Sequence, residues 1–245
     1  MNMAYMDNKD LTNTEISERR EKEIGEAVSK VMEAVDSAAK GRPVRVIAAT
    51  KTRDVGEVMA AIRGGIKVIG ENRVQELEEK MPIISAECQK AGISISAHLI
   101  GQLQKNKIAK VLPLVDCIES VESFDKAQEI SERVPGGKLL DIYLEVNESG
   151  EESKSGCKHE EAFDYARSIS SLPGLRLVGL MTVADPTEGR ACFERLRNLR
   201  DKICAEVETC QRLSMGMSGD FAEAIACGAT DVRIGTAIFG ERSFK

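Results

Sequence analysis

Lys51 is the residue of this chain whose type and position point most directly to chemistry. It follows residues 44–50, a short β-branched apolar run that is typical of a buried strand. A lysine amine can attack an aldehyde, but the pKa of free lysine is about 10.4, so the surroundings would have to lower it. Most lysines are solvated surface charges. The position nevertheless makes Lys51 a candidate Schiff-base lysine.

Three residues late in the chain form a candidate phosphate site: Ser218, Gly235 and Thr236. Ser218 lies at a predicted strand-to-helix junction, and the other two offer backbone amides and a second hydroxyl. Ordinary helix capping explains the same residues equally well. Arg233 lies within an apolar strand, where a buried guanidinium needs an acceptor such as a ring nitrogen or a carboxylate.

Further positions have competing interpretations. His98 could act as a base, but a histidine in an apolar strand is more often a hydrogen-bonded core residue. Glu71 and Asn72 follow a predicted strand, where they could either hold Lys51 or cap the next helix. His159 is predicted to lie on the surface.

These residues lie within or directly after short apolar runs that alternate with segments of helical spacing. The predicted strands are residues 44–50, 66–70, 93–101, 114–118, 139–146, 175–181, 213–217 and 232–235. The predicted helices between them include residues 55–63, 105–112, 123–133, 160–171, 188–207 and 219–227. Eight strand–helix units in 245 residues favour an α/β fold, a closed (β/α)₈ barrel of the TIM type with its site at the carboxyl ends of the strands.

The N-terminal region extends beyond the barrel pattern. We expect residues 1–13 to form a flexible tail, because they are polar and carry no periodicity. Residues 14–40 have the spacing of an amphipathic helix, with Gly41 as its stop signal. Residues 14–245 are expected to form a single barrel domain with this extra helix.

Composition argues against several classes of protein. The net charge of −6 and the absence of a Lys and Arg cluster argue against a nucleic-acid partner. The chain shows neither a membrane span nor a signal peptide, so we expect a cytoplasmic protein without a membrane partner, with a mitochondrial fraction left open. The 7 cysteines have irregular spacing and no Cys-x-x-Cys pair, which indicates reduced, mostly buried thiols and no metal site.

Several ordered motifs resemble one known family, the pyridoxal phosphate (PLP) homeostasis proteins, which are similar to the N-terminal barrel of alanine racemase. The resemblance covers residues 44–240. Its motifs are AATKT at 48–52, GENRVQE at 70–76, HLIGQLQKNK at 98–107, SKSG at 153–156, GLMT at 179–182, LSMGMS at 213–218 and RIGTAIFG at 233–240.

The resemblance implies a fold-type III PLP barrel with pyridoxal 5′-phosphate as its cofactor. It implies that Lys51 forms the Schiff base and that Arg233 faces the pyridine nitrogen. Phosphate binding is assigned to Ser218, Gly235 and Thr236. The cofactor-binding set expected for the family is completed by Asn72, His98 and Met181.

Three residues and one loop depart from the family pattern. The family usually has serine where Thr50 stands, and lysine then proline where Arg53 and Asp54 stand. The loop at residues 184–190 also looks short. Thr50 keeps a hydroxyl, so we expect cofactor binding to survive.

Three functions are compatible with a lysine at this position. The first, carried by the resemblance, is a PLP carrier of vitamin B6 homeostasis with little or no turnover, a monomer that meets PLP-requiring apoenzymes transiently. The second is an amino acid racemase or decarboxylase that uses the same Schiff base, with His98 as base. The third is a phosphosugar-binding barrel in which Lys51 traps a substrate carbonyl.

Overall fold

The computed structural model describes residues 10–151, 154–185 and 187–241. Most of the predicted tail, residues 1–9, lies outside the described residues. Leu11 is buried, and its carbonyl and that of Asn13 accept hydrogen bonds from the amides of Val55 and Gly56, at 3.0 and 2.9 Å. The stretch expected to be a flexible tail therefore includes residues 10–13, which are packed on the molecule.

Helix α1 runs from Glu18 to Ala39 and begins one turn later than its hydrophobic pattern predicts. The start is fixed by Ser17, whose side chain accepts a hydrogen bond from the amide of Arg20. The helix buries one stripe against the molecule, Ile24, Val28, Val31, Val35 and Ala39. Lys40 caps its end in a left-handed conformation, and Gly41 follows at φ 86°.

Eight parallel strands close into a barrel, as predicted. They are β1 Arg45–Ala49, β2 Val68–Glu71, β3 Ser96–Leu99, β4 Cys117–Val121, β5 Leu140–Asn147, β7 Leu175–Met181, β8 Arg212–Met217 and β9 Asp231–Ile234. Each strand pairs with the next, and β9 returns to β1. A further two-residue strand, β6 Cys157–Lys158, pairs with the end of β5.

Helices cover the outside of the barrel. After α1 they are α2 Val55–Arg63, α3 Val74–Ala91, α4 Ile108–Val111, α5 Phe124–Ser131, α6 His159–Ile169, α7 Gly189–Cys204, α8 Phe221–Ala226 and α9 Thr236–Phe239. A 3-10 turn, Lys105–Lys107, precedes α4. No helix in the described part of the chain is long and apolar enough to cross a bilayer. All 7 cysteines are free thiols, and 6 of them are buried, as expected.

Strand residues alternate between the helix layer and the barrel interior. Along β5, Leu140, Ile142, Leu144 and Val146 belong to the large core between strands and helices. Tyr143 belongs to a separate small cluster with Cys117, Val178 and Met181, which fills the barrel. Charged strand residues at the alternate positions, such as Glu145 and Arg233, are thereby placed inside the barrel.

The amino-terminal end of the barrel is closed by a polar hub at Asp231. The Tyr143 hydroxyl donates to this carboxylate at 3.0 Å, and the Arg45 guanidinium pairs with it. Burial, and then the neighbouring Asp231 charge, raise the pKa of Tyr143. The hub links β1, β5 and β9, and it lies at the opposite end from the carboxyl ends of the strands.

Candidate functional site

We use "the mouth" for the carboxyl ends of the barrel strands together with the loops that follow them. Lys51 follows β1 there, half-buried, in a turn closed by a hydrogen bond from the Arg53 amide to the Thr50 carbonyl at 3.0 Å. We call residues 50–53 the Lys51 turn. Asn72 is half-buried after β2, next along the barrel wall. The fold thus brings these two predicted site residues to neighbouring positions.

The candidate phosphate residues lie at the same mouth. The Ser218 hydroxyl accepts a hydrogen bond from the Ala237 amide at 3.2 Å, which joins the loop after β8 to the start of α9. Gly235 and Thr236 lie at that helix start. A Cβ on Gly235 would lie 3.5 Å from the Cβ of Ala49. The three residues therefore converge beside the end of β1. The contact between Ser218 and the Ala237 amide is also what a helix-capping role at the start of α9 would produce.

A bulge in β8 aims Ser218 toward this position. Ser214 pairs with Asp231 and Met217 pairs with Arg233, so β8 uses one more residue than β9 over the same span. Gly216 carries the bulge at φ 93°, and a Cβ there would lie 2.6 Å from the Cβ of Ala224. Only glycine meets both requirements without strain.

Arg233 lies inside the barrel just below the mouth. Its guanidinium donates to the Ser214 hydroxyl at 2.8 Å and to the Thr182 carbonyl at 2.7 Å. The expected acceptor was a ring nitrogen or a carboxylate, and the protein itself supplies a hydroxyl and a carbonyl. These two contacts fix the plane of the guanidinium.

His98 takes part in the same interior network. Its Nδ1 lies 2.6 Å from Glu119, whose other oxygen accepts from Ser214 at 2.6 Å. Burial alone would raise the pKa of Glu119, but the hydrogen bond and charge of His98, helped by Arg233, hold it below its usual value. His98 is 2% exposed. Its geometry is that of a hydrogen-bonded core residue, the more common of the two interpretations.

Potential metal ligands also meet at this point. Atoms of His98, Cys117 and Glu119 lie within 4.8 Å of one another. Both Glu119 oxygens are engaged in hydrogen bonds, and burial raises the pKa of the Cys117 thiol well above its ordinary value. A neutral thiol and a carboxylate that is already bonded are poor metal ligands.

Met181 and Glu145 are paired across β7 and β5 near the mouth. Met181 is buried in the interior cluster. Glu145 is 5% exposed, and its Oε2 has no hydrogen-bond partner among the described residues. Burial raises the pKa of Glu145 to about 7, against the opposing pull of the Arg233 charge. The sequence signal for this residue is an acid inside a mainly apolar strand, which it shares with Asp141.

A second set of buried charges lies behind the Lys51 turn. The Lys80 ammonium on α3 pairs with Glu71 and, at 3.1 Å, with Glu76. Glu71 thus binds Lys80 and the Thr50 hydroxyl, and the N-cap of α3 is Arg73. The capping interpretation of Glu71 is therefore wrong, because the buried ammonium competes for its carboxylate.

The three departures from the family pattern each have a defined place. The Thr50 hydroxyl donates to Glu71 at 2.5 Å. Arg53 donates to the Gly240 carbonyl at 2.8 Å and lies over the Phe239 ring. Asp54 is the N-cap of α2 and accepts from the amide of Glu57 at 2.9 Å.

The loops near residues 151 and 185 meet at one side of the mouth. Lys154 binds Asp185 at 3.3 Å and Glu151 at 2.9 Å. Hydrogen bonds from Thr187 lower the pKa of Asp185. Ser153 of the SKSG motif and Pro186 of the loop at 184–190 lie outside the described residues.

A cavity of about 760 Å³ lies at one side of the mouth, between the loop that follows β5 and helices α6 and α7. It is lined by polar residues that include Glu148, His159 and Arg195. His159 and Arg195 bind the buried Glu148 carboxylate at 2.8 and 3.2 Å. None of the predicted cofactor-binding residues lines this cavity.

Sequence comparison relates the chain to known proteins. The family model described as "Alanine racemase, N-terminal domain" matches residues 26–243. A pyridoxal phosphate homeostasis protein of Pseudomonas aeruginosa is 37% identical over 227 residues, which cover 90% of this chain and 95% of that protein.

Solved structures agree with this relation. A crystal structure of an unknown protein from Bifidobacterium adolescentis shares 48% identity at a TM-score of 0.90, covering 94% of this chain and 100% of that one. PipY of Synechococcus elongatus, solved with PLP bound, shares 28% identity at a TM-score of 0.76, covering 89% and 100%. This chain therefore belongs to the pyridoxal phosphate homeostasis protein family, on the barrel fold of the N-terminal domain of alanine racemase.

Proposed function

We propose that this protein binds pyridoxal 5′-phosphate reversibly through Lys51 and buffers or delivers it in intracellular vitamin B6 homeostasis. The observation that carries the proposal is the convergence at one mouth of Lys51, the Ser218–Ala237 contact and the buried guanidinium of Arg233. The homeostasis name of the Pseudomonas relative and the PLP-bound PipY structure support it.

The residues present fit a phosphorylated pyridine aldehyde. Lys51 supplies the amine that forms a Schiff base with the aldehyde. Ser218, Gly235 and Thr236 supply a hydroxyl pair and backbone amides for the phosphate. Arg233 is held in one plane by Ser214 and Thr182, in position to face the ring nitrogen. Asn72, His98 and Met181 complete the proposed set at the wall and floor.

The same residues argue for little turnover. When bound, PLP supplies an electron sink for carbanion chemistry, and that sink is strongest when the ring nitrogen is protonated. An arginine does not readily give up a proton, so Arg233 keeps the nitrogen unprotonated and weakens the sink.

The candidate bases for an amino acid reaction are otherwise engaged. His98 is buried and hydrogen-bonded to Glu119. The Tyr143 hydroxyl lies in the Asp231 hub at the far end of the barrel. We therefore propose a carrier and not a racemase or decarboxylase. The carrier is expected to be cytoplasmic and monomeric and to meet PLP-requiring apoenzymes transiently.

Borohydride trapping tests the proposal. The purified protein is incubated with PLP, its visible spectrum is recorded, and it is then reduced and digested for mass spectrometry. We expect the reduced adduct on Lys51. Lys51→Ala should lose the adduct and keep weak phosphate-dependent binding, because the phosphate contacts are separate.

The matched control is Lys154→Ala, which removes a lysine of the same mouth that binds Glu151 and Asp185. It should keep the adduct on Lys51. An adduct on another lysine, or none at all, would refute the proposed site. Amino acid racemisation or decarboxylation that disappears in Lys51→Ala would replace the carrier with the enzyme.

A further inference from the structure

Three charged side chains are buried directly behind the Lys51 turn. Glu71 on β2 is 1% exposed, and Glu76 and Lys80 on α3 are 0% exposed. We call these three residues the buried charge cluster. Lys80 pairs with both carboxylates, and Glu71 Oε2 and Glu76 Oε1 have no hydrogen-bond partner among the described residues.

The cluster is bonded to the backbone on both sides of Lys51. The Lys80 ammonium donates to the carbonyls of Thr50 at 3.0 Å and Arg53 at 3.1 Å. Glu76 Oε2 accepts from the Thr52 amide at 2.7 Å. The Lys51 turn is thus held by side chains of α3 at its first, third and fourth residues.

The turn needs such contacts because its backbone is strained. Thr52 has φ 65°, a left-handed conformation that a β-branched residue rarely adopts. Strain of this kind persists only where the surroundings over-determine the backbone. The carboxylate of Glu76 on the Thr52 amide is one such determinant.

Stability alone does not account for three buried charges. Removing charges from water is costly, and well-packed apolar residues often replace a buried ion pair without loss of stability. This cluster has two acids for one base and leaves two oxygens unsatisfied. An apolar cluster could not make directional hydrogen bonds to the backbone. This charged cluster bonds to three backbone groups of the Lys51 turn, the carbonyls of Thr50 and Arg53 and the amide of Thr52.

We propose that Glu71, Glu76 and Lys80 are positioning residues for Lys51, which fix the turn from which its amine reaches into the mouth. Lys80 holds the two carbonyls that flank the turn, and Glu76 holds the strained amide between them. Glu71 anchors the Lys80 ammonium and the Thr50 hydroxyl. The inference rests on the proposed function in one respect, that Lys51 bears the cofactor.

The test compares Lys80→Met with Lys138→Met. Lys138 donates to the carbonyls of Leu112 and Val115, at 2.6 and 3.2 Å, near the other end of the barrel, so it controls for the loss of a lysine-to-carbonyl anchor. The PLP adduct that borohydride traps on Lys51 is measured over time, well below the melting temperature of each variant. We expect Lys80→Met to lower the initial rate at which this adduct forms by about tenfold or more, because a misplacement of a reacting group by about 1 Å can cost roughly 10²-fold in rate, and Lys138→Met to leave that rate unchanged.

A second pair of variants, at Glu76, tests the same proposal if Lys80→Met does not fold. Glu76→Gln keeps an oxygen that can accept from the Thr52 amide, and Glu76→Met does not. Trapping on Lys51 should survive in Glu76→Gln and fall in Glu76→Met. A fall in melting temperature with unchanged trapping in both Lys80→Met and Glu76→Met would overturn the inference and leave the cluster as a stabilising feature only.

A cofactor-free readout separates this inference from the proposed function. The apo protein is labelled with a trace of acetic anhydride, and the rate at Lys51 is compared with that at the exposed Lys22 by mass spectrometry. Lys80→Met should change the relative rate at Lys51 several-fold. If wild-type protein gives no PLP adduct on Lys51, the proposed function fails. An unchanged labelling rate in Lys80→Met overturns the positioning role by itself.

Discussion

Ser218 shows how one hydroxyl can connect two elements and a ligand. Its oxygen accepts from the Ala237 amide at 3.2 Å while the side chain remains half-exposed at the mouth. A hydroxyl can accept and donate at the same time, so this contact leaves its proton available for a phosphate oxygen. The capping and phosphate-binding interpretations of Ser218 are therefore compatible.

Ser218→Ala should weaken PLP affinity about tenfold or more, because a hydrogen bond to a charged group contributes about 1.5–3 kcal/mol. The melting temperature should stay close to that of the wild type, since no core atom is removed. Equilibrium dialysis and thermal unfolding measure the two effects. Ser29→Ala on α1 removes a hydroxyl bonded to the Gly25 carbonyl, far from the mouth, and should change neither. Unchanged affinity in Ser218→Ala would assign the phosphate to other groups.

Glu145 gives a prediction about pH. Its pKa is raised to about 7 by burial, against about 4.3 in an unfolded chain, so the folded protein holds this proton more tightly. The associated stabilisation is fully present below pH ~4.3 and is lost as the pH rises through about 7. Glu145→Gln keeps the shape of the protonated acid and does not titrate.

We therefore expect Glu145→Gln to be more stable than the wild type at pH 8 by on the order of 3 kcal/mol, with the difference shrinking towards pH 5. Urea unfolding of the variant and the wild type at pH 8 and at pH 5 measures this difference in stability. Glu208→Gln removes an exposed carboxylate and should leave the wild-type pH dependence intact. A variant less stable than the wild type at pH 8 would show that the ionised carboxylate is the stabilising form.

Sequence reasoning identifies polar residues at or within strands better than it identifies the partners that bind them. Lys51, Ser218 and Gly235 stand out because an apolar run ends just before them. Glu145 shares the run at 139–146 with Asp141, and Glu119 follows the run at 114–118, so the role of neither acid can be read from its position alone. Their partners are far away in sequence, since Glu119 bonds to Ser214 across 95 residues.

The bulge in β8 is the element on which the mouth depends most. Gly216 combines φ 93° with a Cβ position only 2.6 Å from Ala224 of α8. A side chain there would strain the backbone and push α8 outward. Because Ser218 follows two residues later, the change would also move the proposed phosphate site.

Gly216→Ala should lower the free energy of unfolding by about 2–4 kcal/mol, from left-handed strain of about 1 kcal/mol and overpacking of about 1–3 kcal/mol. Gly137→Ala is its control, because Gly137 has φ 83° and nothing within 4 Å of the added Cβ, so only the strain applies. Denaturant unfolding compares the two. An equal loss of unfolding free energy in the two variants would show that α8 can shift to accommodate the added Cβ without loss of stability.

The strands are the most predictable elements, because each strand of a parallel barrel reads as a continuous apolar run. The ends of the strands are less predictable. The run at residues 93–101 yields only Ser96–Leu99, because the Ile93 amide still bonds to the Cys88 carbonyl of α3 and Gly101, beyond Leu99, packs closely on the backbone of Asn72. Sequence patterns do not mark α3 itself. Its inward face carries Glu76 and Lys80, and it contains Pro82, a residue that usually signals the end of a helix. The two-residue β6 is too short for any periodicity.

At the scale of the whole molecule, the barrel interior is divided into two polar ends by an apolar middle. The Asp231 hub closes the amino-terminal end, and the Arg233 network lies below the mouth. Tyr143 and Met181 belong to the cluster between them. The charges of the Asp231 hub are thereby separated from the charges that we propose to face the cofactor.

Arg53 ties the Lys51 turn to the carbonyl of Gly240, and β1 has β9 as one of its two neighbours. The ribosome makes the chain from its amino terminus, so the lysine emerges long before either partner exists. A nascent chain carries this amine on an unfinished wall, without its neighbour strand and without the final anchor of its turn. The wall on both sides of Lys51, and with it the proposed cofactor site, is therefore complete only after residues 231–240 have been synthesised and have folded onto β1.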